Sequence, residues 1–317
     1  MTNNTNKSQK QFLVESTTPL HFHFSTFSEM EKYGKNWSFH CRYRFGKHKF
    51  YGEFDICQNE HFQLASAYYN DGLMYNGYAP QDTITLTFCA KKSSSLTANR
   101  KILEVGDILI VDDSKEYEII YNDSIELKLI SLRKEFVSQH FPYLFTLVDE
   151  VYRDNNNIIE KFFSKVFKTK HTCTEQEIEL ELLRVLQSLN LSSQSPVNKK
   201  LTKKEALLFT IRDYILNNLQ YNNIKIKKLL SLFNISERSL QNGFKKIFGI
   251  TPKKFLNILR LNEAHKELKG RKDEQRISEI AIKWGFENFG RFSKDYQQFY
   301  NVLPSQDIEQ GTEQLND

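Results

Sequence analysis

The sequence predicts an α+β chain with two unlike parts: a β-barrel or sandwich first, and an all-α region after it. Three observations carry this. Between residues 15 and about 133, apolar residues recur mostly at a period of two, with turn signals between the runs. From Glu135 the period becomes that of a helix. Across residues 224–304 one unit occurs twice: a short amphipathic helix, a tight turn, and a second helix with polar and basic residues on its outer side. That is the pattern of a helix-turn-helix.

The length of 317 residues leaves room for two domains, each with its own core. The net charge of +5 is unevenly placed. Residues 200–305 hold 21 Lys and Arg against 10 Asp and Glu, a balance of +11, and the rest of the chain stands at −6. A basic module joined to a slightly acidic one implies a polyanion partner for one half only. The start, MTNNTNKSQK, is polar and lacks the apolar stretch of a signal peptide. No run approaches the roughly 18 apolar residues that span a bilayer, so no membrane partner and a cytoplasmic location are expected. The four cysteines, Cys41, Cys57, Cys89 and Cys173, are scattered, without zinc spacing. They read as reduced, mostly buried thiols.

Taken in order, residues 1–14 read as a disordered lead. Residues 15–135 follow as a β-rich domain. In FHCRYRF, Phe39, Cys41, Tyr43 and Phe45 alternate with His40, Arg42 and Arg44. In DTITLTFCA, Ile84, Leu86 and Phe88 alternate with Thr83, Thr85 and Thr87, and Ile125, Leu127 and Leu129 repeat the device. A closed or double-layered β structure of this size often encloses a ligand cavity. His21 and His23 place two rings on one face of a strand, with Glu29 after them. Metal-binding cupin barrels use a similar pair with a nearby carboxylate. Here the spacing differs and no later strand supplies an obvious third histidine, so the plainer reading is two histidines at a strand edge. No metal and no cofactor are expected.

Residues 136–192 read as a helical packing or dimerisation segment, with helices over 141–154 and 157–167. Thr174 and Glu177 form a capping box. Ile178, Leu182, Val185, Leu186 and Leu189 then make one apolar helical stripe, which packs on its own domain or serves a symmetric dimer. The Ser/Pro/Lys stretch 193–201 reads as a linker, 202–308 as the doubled helix-turn-helix domain, and 309–317 as an acidic tail.

The second helix of such a unit can lie in a DNA major groove. In the first unit Leu240, Phe244 and Ile247 face the core, so Arg238, Gln241 and Asn242 project outward as base readers, with Lys245 and Lys246 on phosphates. Lys253, just beyond, is a third phosphate candidate. Residues 252–269 form a rod of about 27 Å, against about 34 Å between major grooves on one DNA face. In the second unit Asn288, Arg291 and Lys294 are the candidate base contacts. Phe289 and Gly290 are not hydrogen-bonding readers, which suggests anchoring or contact with a thymine methyl.

These residues resemble the DNA-binding domain of the AraC/XylS family of bacterial transcription regulators. The resemblance runs from Ser236 through Leu240-Gln241, Phe244-Lys245-Lys246 and Gly249 to Pro252, then Arg260-Leu261-Asn262-Glu263-Ala264. It continues with Ile277-Ser278-Glu279-Ile280-Ala281, Gly285-Phe286-Glu287-Asn288 and Phe292-Ser293-Lys294 to Tyr296. It implies a bilobal domain bridged by a long helix and bound to two adjacent major-groove segments. By position it places Arg238, Gln241 and Asn242 in the base-reading slots of the first recognition helix, and Phe289, Gly290 and Lys294 in those of the second. Val105–Asp113 is similar to a strand of the family's cupin-like sensor barrels.

The expected function is therefore a sequence-specific, non-enzymatic transcription regulator on double-stranded promoter DNA. The family's common mode implies an activator working through RNA polymerase, and repeated half-sites favour a homodimer. A small-molecule effector is expected in the N-terminal domain, with neither its identity nor its pocket legible. The alternatives are a regulator controlled by abundance or a partner protein, a metal-dependent cupin fused to a DNA-binding module, and a repair methyltransferase fusion. The last needs an activated cysteine in a Pro-Cys context, and none of the four has one.

Overall fold

The structure is a computed structural model describing residues 16–33, 37–38, 40–46, 49–168, 173–197, 201–220, 224–270 and 275–307. The lead 1–14, the tail 309–317 and residues 198–200 of the expected linker lie outside the described residues.

The strands in chain order are β1 (Ser16–Phe24), β2 (His40–Arg44), β3 (Gly52–Gln58), β4 (Phe62–Tyr69), β5 (Leu73–Gly77) and β6 (Thr83–Lys92). They continue as β7 (Leu96–Ala98), β8 (Lys101–Leu103), β9 (Asp107–Asp112), β10 (Tyr117–Tyr121), β11 (Ile125–Arg133) and β12 (Val151–Arg153). Helix α1 (Phe27–Tyr33) follows β1, and α2 (Lys134–His140), α3 (Ile158–Lys168) and α4 (Glu175–Leu189) follow β11. The C-terminal helices are α5 (Lys203–Asn217), α6 (Ile226–Phe233), α7 (Glu237–Phe248), α8 (Pro252–Lys269), α9 (Ile277–Lys283) and α10 (Phe289–Tyr300).

Two antiparallel sheets form the N-terminal half, ordered β1-β3-β4-β11-β6-β9-β12 and β2-β5-β10-β7-β8. Side chains such as Phe54, Ala67, Tyr69, Tyr75, Tyr121 and Leu127 fill the space between them. The other face of the larger sheet carries Ile84, Leu86, Ile108, Ile130 and Leu132, and α2, α3 and α4 cover it. The central strands of that sheet are therefore buried on both faces, which changes how their alternation reads. Thr83, Thr85 and Thr87 are all buried on the inner face, where the Thr85 hydroxyl donates to Ser131 Oγ at 3.0 Å. They do not line a solvent face, as alternation in a half-exposed sheet would have them.

The expected helix over 141–154 does not form. Pro142 opens a 3-10 stretch, Pro142–Leu147, and Val151–Arg153 pair as β12 with β9, Val151 facing Leu109. The segment 136–192 is thus not wholly helical, because an unfilled sheet edge offered these backbone groups a ladder. Thr174 and Glu177 do form their capping box at the start of α4. The stripe Ile178, Leu182, Val185, Leu186 and Leu189 lies inside the same chain against the sheet. It is spent on packing and has no apolar surface left for a partner chain.

The two halves are not separate cores. Tyr43, Phe45, Met74 and Ile120 of the β half belong to the same apolar cluster as the C-terminal helices. In β2 a register irregularity between Cys41 and Tyr43 divides the alternating face. Cys41 packs toward the sandwich interior, while Tyr43 and Phe45 pack toward the helices. The Phe45 ring stacks on Phe255 of α8 at 5.6 Å.

Candidate nucleic-acid interface

In the first unit, α6 ends at Asn234, which takes the left-handed conformation (φ 46°) and turns the chain. Ser236 then caps α7, its side chain accepting from the Ser239 N–H at 3.2 Å. An N-cap of this type fixes where the helix starts, and with it which residues face out. Leu240, Gly243, Phe244, Ile247 and Phe248 are buried. Arg238, Gln241, Asn242, Lys245 and Lys246 are all exposed on the opposite side, as the spacing predicts.

These five are not equally free. Gln241 Nε2 donates to Glu237 Oε1 at 3.0 Å, one turn back. Lys246 Nζ lies 3.2 Å from Glu205 Oε1, the capping-box carboxylate of α5. Lys246 and Asn242 both border a small groove of about 220 Å³ against α5. Arg238, Lys245 and Lys253 have no recorded side-chain partner among the described residues and stand exposed.

Thr251 and Pro252 start α8, with the Thr251 side chain accepting from the Lys254 N–H at 3.2 Å. The 18-residue helix runs between the two units, about 27 Å at 1.5 Å per residue. Phe255, Leu259 and Ala264 along it are fully buried. The basic side chain of Arg260 donates to the Ile224 carbonyl at 3.1 Å, and burial lowers its proton affinity.

In the second unit Gly285 makes the turn at φ 82°, a region that disfavours side chains. A Cβ there would also lie 2.9 Å from Arg260 Cζ. Asn288 caps α10, its Oδ1 accepting from the Arg291 N–H at 2.8 Å. The Asn288 oxygen is thereby committed to the helix, which leaves only its amide NH₂ as a donor. Phe292, Tyr296 and Phe299 are buried, while Arg291 and Lys294 are exposed. Arg291 Nε sits 3.8 Å from Asp295. Phe289 is 48% exposed at the start of α10, beside exposed Gly290.

Sequence reasoning did not find the anchor of this second unit. Asp307 accepts from the Tyr296 hydroxyl at 2.5 Å and lies 2.9 Å from His265 Nδ1 and 2.7 Å from Lys269 Nζ. Burial pushes its carboxyl up, but these three partners outweigh that and hold it well below the usual carboxylate range. The cluster ties the end of α10 and the following turn to α8. The only sequence signal was an acid, Asp307, a few residues after α10.

Residues 229–310 match the model of a helix-turn-helix domain family. A probable thc operon regulatory protein of Rhodococcus erythropolis is 41% identical over 75 residues, 23% of this chain and 23% of its own. The XylDLEGF operon transcriptional activator of Pseudomonas putida is 36% identical over 98 residues, 31% of this chain and 30% of its own. This domain is of the AraC/XylS family. The likeness extends to the transcriptional activator RhaS of Escherichia coli O139:H28, 27% identical over 140 residues, 44% of this chain and 47% of that one. In each case the matched part is less than half of the relative's own length. Among solved structures, the AraC-like transcriptional activator CuxR aligns with 78% of this chain and 96% of its own, at 14% identity and a TM-score of 0.45. An AraC family regulator from Rhodopseudomonas palustris aligns with 33% of this chain and 97% of its own, at 28% identity and a TM-score of 0.31.

The AraC-type domain thus presents two capped helices, α7 and α10, whose outward faces are polar and basic and whose inward faces share one core around α8. No helix among the described residues is long and apolar enough to cross a membrane.

Proposed function

We propose that the chain is a sequence-specific DNA-binding transcription regulator, an activator controlled by a small molecule held by its N-terminal half. The observation that carries this reading is the pair of exposed recognition faces on α7 and α10, joined through one helix whose length suits adjacent major grooves. The +11 balance of residues 200–305 supports a phosphate backbone as partner. The names of the relatives, two of which are operon or transcriptional activators, support activation over repression.

In this reading Arg238, Gln241 and Asn242 read bases through the first unit. Lys245, Lys246 and Lys253 hold phosphates. Arg291, Lys294 and the amide of Asn288 serve the second unit, where Phe289 meets a thymine methyl. The regulator acts as a cytoplasmic homodimer that recruits RNA polymerase, with residues 15–135 as the sensor and 202–308 as the DNA-binding unit.

One pocket inside the sandwich, bordered by Trp37, Tyr75 and Leu129, has about 30 Å³, room for a water rather than a drug-sized ligand. A cleft of about 710 Å³ instead lies between Arg100, Lys101 and Arg153 of the β half and Leu201, Glu205 and Lys246 of the helical half. We place the effector against Arg100, Lys101 and Arg153 of the N-terminal half, on the side where that half forms the cleft with the helices. A ligand touching both halves favours one arrangement of them over another, which is what control requires.

Genome-wide mapping of bound DNA tests the reading. The expected result is a shared motif whose two parts lie about one helical turn apart, lost when Arg238 and Gln241 are both replaced by Ala. Uniform coverage without a motif would overturn it. The small size of the pocket beside Trp37 and Tyr75 also favours a second reading, a regulator controlled by abundance or a partner protein. Compound screens giving no thermal shift at saturation would select it.

A further inference from the structure

We propose that His21 and His23 form a two-imidazole site for a divalent late transition-metal ion (Ni²⁺, Cu²⁺ or Zn²⁺) on the outer face of the seven-stranded sheet. The site lies on β1, the edge strand, where a period of two puts both rings on one face. That face is the outer one. Phe24, on the opposite side of the strand, packs into the sandwich interior with Phe22 against it. The pair is therefore unrelated to the interior of the sandwich.

Across the ladder His21 faces Asp55 and His23 faces Glu53. His21 Nδ1 is bonded to Asp55 Oδ1, and His23 Nδ1 lies 2.9 Å from the Tyr51 hydroxyl. That hydroxyl in turn donates to Glu53 Oε1 at 2.6 Å, a bond that also raises the Tyr51 phenol above its ordinary range. The two Nε2 atoms face each other at 2.8 Å.

Counting protons along this chain shows what it lacks. The Asp55 carboxylate only accepts, so His21 carries its proton on Nδ1. The single Tyr51 proton is committed to Glu53, so the phenol oxygen accepts from His23 Nδ1–H. With both rings neutral, each Nε2 presents a lone pair to the other, and a cation between them, a shared proton or a metal ion, satisfies both. A metal ion about 2.0–2.1 Å from each nitrogen would place two neighbouring ligands about 3 Å apart, close to the separation the rings already have.

The surroundings match a metal-binding histidine pair in a second respect. Ligating imidazoles usually donate their other N–H to a carboxylate or equivalent acceptor, which fixes the ring and its tautomer. Asp55 does this for His21, and Tyr51 backed by Glu53 does it for His23. Both histidines are exposed, so the ion has access. Among the described residues no group of three or more His, Cys, Asp or Glu is placed to hold a metal ion together, so water completes the coordination shell. Imidazole ligands favour Zn, Cu and Ni over Mg or Ca.

The full-length chain, stripped with chelator, is titrated with NiCl₂ by calorimetry and with CuSO₄ by electron paramagnetic resonance. One equivalent should bind, with nitrogen hyperfine structure on Cu²⁺. His21→Ala and His23→Ala should each weaken binding at least tenfold, with unchanged circular dichroism. Asp55→Asn, with both histidines kept, should weaken it about 10–100-fold through the outer-shell bond. No saturable binding at millimolar metal would overturn the proposal. So would stoichiometric binding retained by the His21→Ala/His23→Ala double variant, which would place the ion elsewhere.

Discussion

The side-chain amide of Asn262 pairs with both backbone groups of Arg44: Oδ1 accepts from the Arg44 N–H at 2.9 Å, and Nδ2 donates to the Arg44 carbonyl at 2.9 Å. An amide on the rod helix α8 thus continues the hydrogen-bond ladder at the open edge of the smaller sheet. The Arg44 side chain turns the other way, to Asp71 at 2.8 Å, where both are buried. Lys266, one turn along α8, donates to the Arg42 carbonyl at 2.9 Å and lies over the Tyr43 ring. On α5, Arg212 and Asp213 reach Glu118 and Arg100 of the sheet. The helix that spaces the two DNA-binding units is therefore held by the other half of the chain, so a change there reaches both units together.

Asn262→Ala should expose the consequence. It leaves the buried Arg44 N–H and C=O without partners, which costs about 1–3 kcal/mol each in a buried setting. Urea unfolding should show a loss of at least that size. An unchanged midpoint would mean that water replaces the amide and that the edge is looser than its geometry implies.

Gln241→Ala should change base preference at one position of the operator and cost about 1–3 kcal/mol there. Selection from randomised DNA reads this directly. Because Gln241 bonds Glu237 in the free protein, Glu237→Ala should leave that preference in place while raising affinity, by removing both a competing acceptor and a negative charge. Equal weakening on all sequences would remove Gln241 from the readers.

Lys245 and Lys246 should separate in their salt dependence. Lys245→Ala should lower the slope of log affinity against log salt by about 1. Lys246 is held by Glu205, so Lys246→Ala should lower it by less. Equal slopes for the two variants would show that DNA pulls Lys246 away from Glu205.

Asp307 gives a pH dependence of stability. Its carboxyl is held below the unfolded value, so it binds fewer protons folded than unfolded in the acid range. The stabilisation is fully present above the unfolded carboxyl range, about pH 4, and is lost as pH falls through the lower folded value. Asp307→Asn should cost about 1.5–3 kcal/mol at pH 7 and flatten the acid limb of a stability–pH profile. A parallel downward shift with the acid limb intact would assign that limb to other carboxylates.

The DNA-binding half was legible because its signals are local. Ser236, Thr251 and Asn288 cap their helices from within three residues, Gly285 marks its turn by conformation alone, and 3.6-residue spacing separates Leu240 and Phe244 from Arg238 and Gln241. Nothing distant is needed to decide any of these. The outward direction of every candidate contact on α7 followed from sequence for that reason. Their side-chain partners did not, because Lys246 meets Glu205 across 41 positions of chain.

Where distant segments compete for the same groups, only the tertiary structure decided. The threonines of β6 alternate with apolar residues as they would on a half-exposed sheet, yet a second sheet buries them. Residues 151–153 became a strand because β9 had a free edge. The Ile178–Leu189 stripe names no partner by itself, and it found the β-sheet of its own chain. Tyr43 and Phe45 left the sandwich for the helical core because the ladder shifts register between Cys41 and Tyr43. The sequence determined two kinds of secondary structure and the faces of the helices, since those depend on neighbours along the chain. It could not determine that Asn262 meets Arg44, because 218 positions separate them and only the folded chain brings them together.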